Sequence, residues 1–166
     1  MTFLVAAVGA TVAALIELTV TPYIRAGGAH PHPVFVLGVV WTIAVGLEGG
    51  LAWAFIGGLA LDALAQRPLG STAFALLVAL AGVWVLARLL VRFRPLVPII
   101  AAFVFSVVYS VTLFVLFGAL REPIPVQDPV AVLVPGAIYD AVIAAAIGPL
   151  AVTLHDRRMD QERVDW

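Results

Sequence analysis

Long apolar stretches separated by short polar turns occupy most of this sequence, and they constrain the fold more than any other feature. A helix needs roughly 20 apolar residues to cross the hydrocarbon core of a bilayer. Six stretches are predicted to be membrane spans, at 2–24, 34–47, 51–65, 71–91, 96–120 and 130–154. The sequence therefore predicts an all-α integral membrane protein with six transmembrane helices.

The composition supports the same class of protein. Hydrophobic residues make up 63% of the chain and charged residues 11%, whereas a soluble domain has about 25% charged residues. The net charge of −1 gives no support for nucleic-acid binding. The first span is interpreted as retained and not as a cleaved signal peptide, because no basic segment precedes it and Glu17 interrupts it.

The second and third spans are both short, and they meet at Glu48-Gly49-Gly50. This pattern predicts a tight hairpin of two short helices, and one long broken helix is the less favoured alternative. Every other connection is short, about ten residues at most by this assignment. Residues 1–154 are therefore predicted to form a single six-helix transmembrane domain, and residues 155–166 a short charged tail.

The arginines predict the orientation, because positively charged loops stay on the cytoplasmic side. Six arginines fall on one side of the predicted bundle and three on the other. The larger group is Arg88, Arg92, Arg94, Arg157, Arg158 and Arg163, and the smaller is Arg25, Arg67 and Arg121. Both termini are expected in the cytoplasm, and the Pro-rich loops at 25–33 and 121–129 are expected outside.

Three carboxylic acids, Glu17, Asp62 and Asp140, lie well inside apolar spans. Each costs roughly 2.5–3.5 kcal/mol at the centre of a spanning helix, so each needs a partner. Small residues share the helix face of each acid and allow another helix to come close. These are Ala10, Ala13 and Ala14 for Glu17, Gly50, Ala54 and Gly58 for Asp62, and Gly136, Ala137, Ala144 and Gly148 for Asp140.

We expect spans one, three and six to pack these faces together or against a helix of a partner. The acids are expected to be mostly protonated and to donate hydrogen bonds. Packing or partner docking is the favoured role, because no basic residue lies deep in a span. The alternative is a pathway for protons or substrate. Ser106 and Ser110 in span five are candidate hydroxyl partners.

The remaining candidates point to no reaction. A polar loop is favoured over a metal site for His30 and His32, and Trp41, Trp53 and Trp84 are expected to anchor the protein at lipid or at the interface. The chain has no Cys and no Lys, which excludes thiolate and Schiff-base chemistry. No catalytic constellation is found, so neither an enzyme nor a cofactor is predicted.

One motif connects the chain with a family. The residues Gly58-Leu59-Ala60-Leu61-Asp62 are followed by Arg67-Pro68-Leu69-Gly70, between the predicted hairpin and a long apolar span. This arrangement resembles the rod shape-determining MreD family, and the layout of short loops and six spans is similar over nearly the whole chain. Four positions match the motif, Gly58, Asp62, Pro68 and Gly70, whereas Glu17 and Asp140 are not part of it.

The resemblance implies a fold like that of the substrate-binding subunits of energy-coupling-factor vitamin transporters, located in the bacterial inner membrane. It implies a non-enzymatic scaffold for cell-wall elongation and rod shape. It also implies binding to the bitopic protein MreC and, through MreC, a link to MreB, RodA and a penicillin-binding transpeptidase.

The candidate docking or intramembrane polar residues are Asp62, Gly58, Pro68, Gly70, Glu17 and Asp140. The hairpin, the helix face of Asp62 and the two outer loops are the surfaces expected to meet the partner. The alternative function is a small-molecule-binding membrane subunit of a transporter.

Overall fold

A computed structural model of the chain describes residues 2–24, 29–90, 93, 96–120 and 129–164. All of its main secondary-structure elements are helices. The helices are α1 (Thr2–Thr19), α2 (Pro33–Val45), α3 (Leu47–Leu64), α4 (Ser71–Leu89), α5 (Val97–Leu120) and α6 (Pro129–Val164), and a 3-10 turn, Thr21–Tyr23, follows α1. Every helix except α2 contains a stretch long and apolar enough to cross a membrane. The prediction of a multi-span, all-α membrane protein is confirmed.

Helix α2 is the centre of the bundle. It packs against all five of the other helices. These surround it in the order α1, α3, α4, α5, α6, and each packs against the next. Its side chains at Val34, Phe35, Val36 and Val39 are completely inaccessible. A helix that is apolar on every side belongs in the interior. With 13 residues, α2 is about 20 Å long, which is shorter than the hydrocarbon core of a bilayer. The surrounding helices separate it from lipid, so it does not need the length of a lipid-exposed span.

The turn between α2 and α3 lies at Gly46, and the predicted turn at Glu48–Gly50 is wrong. Gly46 has φ +102°, a conformation that residues with side chains rarely adopt. Glu48 and Gly50 instead form part of the first turn of α3, which has 18 residues and is not short. A Cβ on Gly50 would collide with the side chain of Thr42, so this glycine serves close packing of the hairpin and not its turn.

Helices α1 and α3 pack together, but through Gly57 of α3, because Gly50 and Gly58 of the predicted face meet α2 and α4 instead. Ala10 and Ala14 of α1 are completely buried. A Cβ on Gly57 of α3 would lie 3.3 Å from the Cβ of Ala10. The small-residue face of α6 does not join them, because α6 packs mainly on α5 and α2. A Cβ on Gly148 would lie 2.6 Å from Pro98 at the start of α5. The expectation that the three small-residue faces pack together is therefore wrong, since the faces of α3 and α6 meet other helices.

The two ends of the bundle differ in character. At one end, here called the acid end, α1, α3 and α5 finish and α2, α4 and α6 begin. At the other, the hairpin end, α2 meets α3 and the end of α4 lies near the start of α5. Helix α6 continues to Val164, past the predicted end of span six at residue 154. Outside the described residues lie Arg25, Arg92, Arg94, Arg121, and segments 25–28 and 121–128 of the predicted outer loops.

Gly58→Ala is expected to destabilise the protein by about 1–3 kcal/mol, because the new Cβ would overlap the backbone of Ala73 at the contact between α3 and α4. Gly118→Ala is the matched control. Gly118 is also helical, but a Cβ there meets nothing within 4 Å. Reversible unfolding in mixed detergent micelles measures both. Equal stability of the two variants would contradict the close approach of α3 and α4.

Candidate functional site

All three membrane-embedded acids are buried in the protein, as the sequence predicts. Asp62 and Asp140 have no accessible surface, and Glu17 is 7% exposed. Each carboxylate accepts hydrogen bonds from backbone N–H groups at or just before the start of another helix. The expectation that these acids donate hydrogen bonds is therefore wrong for these contacts, because backbone N–H groups can only donate.

Asp62, near the end of α3, holds the start of α4. Its carboxylate accepts a hydrogen bond from Gly70 N at 2.8 Å and from Thr72 N at 3.1 Å. Ser71 Oγ donates to it at 3.2 Å. The first N–H groups of a helix have no partner within that helix. Asp62 provides that partner from the preceding helix and so closes the hairpin between α3 and α4.

The other motif positions serve the same hairpin. Gly70 has φ +92°, in the left-handed region that glycine adopts without strain. The carbonyl oxygen of Pro68 accepts hydrogen bonds from Ser71 N at 3.1 Å and from Ser71 Oγ at 2.8 Å. Gly58 allows α3 to meet the first turn of α4. The motif therefore builds one rigid connection, and it leaves Leu69 77% exposed at the tip.

Glu17 and Asp140 together hold the start of α2. Glu17 Oε2 accepts a hydrogen bond from Val34 N at 3.0 Å, and Asp140 Oδ1 accepts one from His32 N at 2.8 Å. Pro33, between these two donors, has no N–H group. The two N–H groups on either side of Pro33, at the start of the central helix, thus donate to one acid of α6 and one acid of α1.

Asp140 also joins side chains from two other parts of the chain. Ser106 Oγ of α5 donates to Asp140 Oδ2 at 2.6 Å, which confirms Ser106 as a hydroxyl partner. His32 Nδ1 lies 2.9 Å from the same oxygen, and its side chain is 17% exposed. Sequence reasoning missed His32 as a basic partner and assigned it to a polar loop. The available signal was its position directly before Pro33, where a helix can begin.

The tryptophans do not all face lipid. Trp53 is 5% exposed and donates from Nε1 to the carbonyl oxygen of Val34 at 2.9 Å. The prediction that Trp53 anchors the protein at lipid or at the interface is therefore wrong. Gly9 and Gly38 make room for its ring. The indole needs a buried partner for its N–H group, and the first turn of α2 supplies it.

A small cavity, here called the polar cleft, opens at the acid end of the bundle and has a volume of about 70 Å³. Its wall combines charged, polar and apolar side chains. Among the described residues no group of three side chains suitable for a metal is found, although the rings of His30 and His32 are 4.9 Å apart. The cleft is lined by Glu17, Ala29, His30, His32, Arg67, Tyr109, Ser110, Leu113, Phe114, Phe117, Val132 and Gly136.

The comparison with protein families decides the class of protein. The family model for rod shape-determining protein MreD matches residues 1–157. The chain belongs to the MreD family. Members of this family are membrane proteins that determine rod shape, so a role in cell shape follows from the match. Comparison with curated proteins and with solved structures gives no match, so the likeness to energy-coupling-factor subunits stays a prediction.

Asp62→Ala is expected to destabilise the protein by about 2–4 kcal/mol, because it leaves the N–H groups of Gly70 and Thr72 without an acceptor. Asp62→Asn keeps one carbonyl acceptor and should lose less. Glu48→Ala is the control, since Glu48 is exposed in the first turn of α3. Unfolding in mixed micelles ranks the three variants, and an Asp62→Ala protein as stable as Glu48→Ala would refute the capping role.

Proposed function

We propose that this member of the MreD family is a non-enzymatic scaffold of the bacterial cell-wall elongation complex, and that it binds an MreC-like bitopic membrane protein. Through that partner it would be linked to MreB, RodA and a penicillin-binding transpeptidase. The observation that carries the proposal is the family match, which extends over residues 1–157. The matched region includes all of the helical contacts described above.

The use of the buried acids supports a scaffold. Asp62, Asp140 and Glu17 each hold the start of a helix, and such contacts fix the relative positions of α2, α4 and their neighbours. A transport pathway would instead place ionisable groups along a continuous route through the membrane. In this arrangement the polar groups hold the helices in fixed positions, and a surface that is already rigid loses less conformational entropy when a partner binds.

The docking surface that we propose is the connection between α3 and α4. Asp62 has no accessible surface, so it cannot contact a partner directly. It would contribute by fixing the conformation of this loop. Leu69 projects from this loop with 77% of its surface exposed. An exposed leucine side chain gains free energy when a partner covers it. Glu17 and Asp140 would contribute in the same indirect way, by fixing the start of α2.

A small-molecule-binding subunit of a transporter is the second candidate. Pockets for small molecules usually enclose about 300–1,000 Å³, whereas the polar cleft has about 70 Å³. A second cavity of about 340 Å³ lies at the hairpin end, between Thr42, Trp84 and Val97. Thr42 Oγ1 already donates to the carbonyl oxygen of Gly38, and Arg88 lies 4.1 Å from the ring centroid of Trp84. This cavity therefore offers few groups for specific recognition.

Leu69→Ser is expected to lower recovery of the bitopic partner by about tenfold or more, because it removes the apolar anchor of the proposed surface. Leu89→Ser is the matched control, since Leu89 is 75% exposed at the hairpin end. Native membranes are solubilised, the tagged protein is purified, and the co-purified partner is quantified. Rod shape in cells that depend on each variant is scored in parallel. Full recovery with Leu69→Ser would refute this surface.

We propose that the protein lies in the inner membrane with both termini in the cytoplasm, as the arginine distribution favours. The chain contains no Cys, so single cysteines report topology without background. A membrane-impermeant maleimide added to intact spheroplasts should label Leu69→Cys, and it should label Glu48→Cys only after lysis. The reverse pattern would place both termini outside.

A further inference from the structure

Two opposite charges line the polar cleft without pairing to each other. Glu17 is 7% exposed, and only its Oε2 atom has a hydrogen-bond partner in the described part of the chain. Arg67, which is partly exposed, lines the same cleft, and the structure shows no ion pair between its side chain and any described residue. A buried carboxylate without a charged partner is costly, and a partly exposed guanidinium beside it is open to an anion. A ligand that carries both a cation and an anion would satisfy both side chains.

The remaining wall of the cleft is part polar, with His30, His32, Tyr109 and Ser110, and part apolar. Leu113, Phe114 and Phe117 project from one face of α5, and Val132 faces them from α6. With a volume of about 70 Å³, the cleft has room for a small polar group and not for a whole lipid or a large metabolite. The matching ligand is therefore amphipathic, with a compact charged head in the cleft and an apolar part outside it.

The position of the cleft agrees with this chemistry. Glu17 lies in the last turn of α1, and Arg67 follows the end of α3, so both are close to the acid end of the bundle. Spanning helices end near the level of the lipid headgroups. A lipid headgroup is therefore the zwitterionic group that is most abundant where the cleft opens.

We propose that the polar cleft binds the headgroup of an amine-bearing zwitterionic phospholipid, of which phosphatidylethanolamine is the type. The primary ammonium would donate a hydrogen bond to Glu17 Oε1, and the phosphate would accept from Arg67. The acyl chains would lie along the apolar wall of α5 and α6. The site adjoins the proposed docking surface, because Arg67 lies in the connection between α3 and α4. Lipid binding to the purified protein is measured without the partner, so the two proposals are tested separately.

The pairing predicts a specific lipid preference. Phosphatidylcholine has the same net charge, but its quaternary nitrogen cannot donate an N–H hydrogen bond. Phosphatidylglycerol keeps the phosphate and has no cation. Because a hydrogen bond to a charged group changes binding by about tenfold or more, phosphatidylethanolamine should bind about tenfold more tightly than either of the other two lipids.

The test uses the delipidated full-length protein in detergent. Native mass spectrometry follows the titration with each of the three lipids, all with identical acyl chains. Glu17→Gln should abolish the preference for phosphatidylethanolamine over phosphatidylcholine, and its amide oxygen can still accept from Val34 N. Arg67→Gln should weaken the binding of phosphatidylethanolamine and of phosphatidylcholine by a similar factor, because both lipids carry the phosphate. Arg88→Gln, at the hairpin end, is the control and should change neither.

The outcomes separate the proposal from its competitors. Equal binding of the three lipids, or an unchanged preference in Glu17→Gln, would overturn it. Soluble phosphoethanolamine is titrated as well, and if it bound as tightly as the lipid, the site would belong to a free metabolite. Thermal unfolding of each variant is recorded in the same detergent. The Arg67→Gln result remains decisive if Glu17→Gln fails to fold, because Arg67 holds no helix start.

Discussion

Carboxylates that accept hydrogen bonds from the starts of other helices are the interaction on which this bundle depends. The first N–H groups of a helix need acceptors, and where protein buries them, as at Val34 and Thr72, water does not supply them. The residues before α2 and α4, His32 and Gly70, make no side-chain cap of their own. Glu17, Asp140 and Asp62 supply the missing acceptors from neighbouring helices. The same contacts that complete each helix therefore also fix how the helices are arranged.

This arrangement explains how a short helix can occupy the centre of a membrane protein. Helix α2 has only 13 residues, and protein contacts replace the lipid contacts that would require greater length. Its first turn is held by the acids of α1 and α6, and Trp53 of α3 binds the carbonyl oxygen of Val34. The central helix is thus held at its first turn by polar contacts and along its length by apolar packing.

Much of the fold could be predicted from the sequence, because membrane helices need long apolar runs and their embedded acids need protein partners. The burial of Asp62 followed from those requirements, and Ser106 was predicted as a hydroxyl partner without a specified acid. The partners of the acids could not be predicted. His32 is 108 residues from Asp140, and no spacing rule connects them. Gly50 was misread as a turn, because glycine serves turns and close helix contacts equally well. Trp53 was misread because aromatic residues occur at both interfaces and cores.

The contact between His32 and Asp140 has a consequence for biosynthesis. Because synthesis starts at the N-terminus, α2 to α5 are all made before Asp140. Until then the backbone donor of His32 has no acceptor from α6, and the central helix is incompletely held. The last helix therefore locks the first half of the chain after insertion. A chain that stopped before α6 would leave the N–H group of His32 without this acceptor.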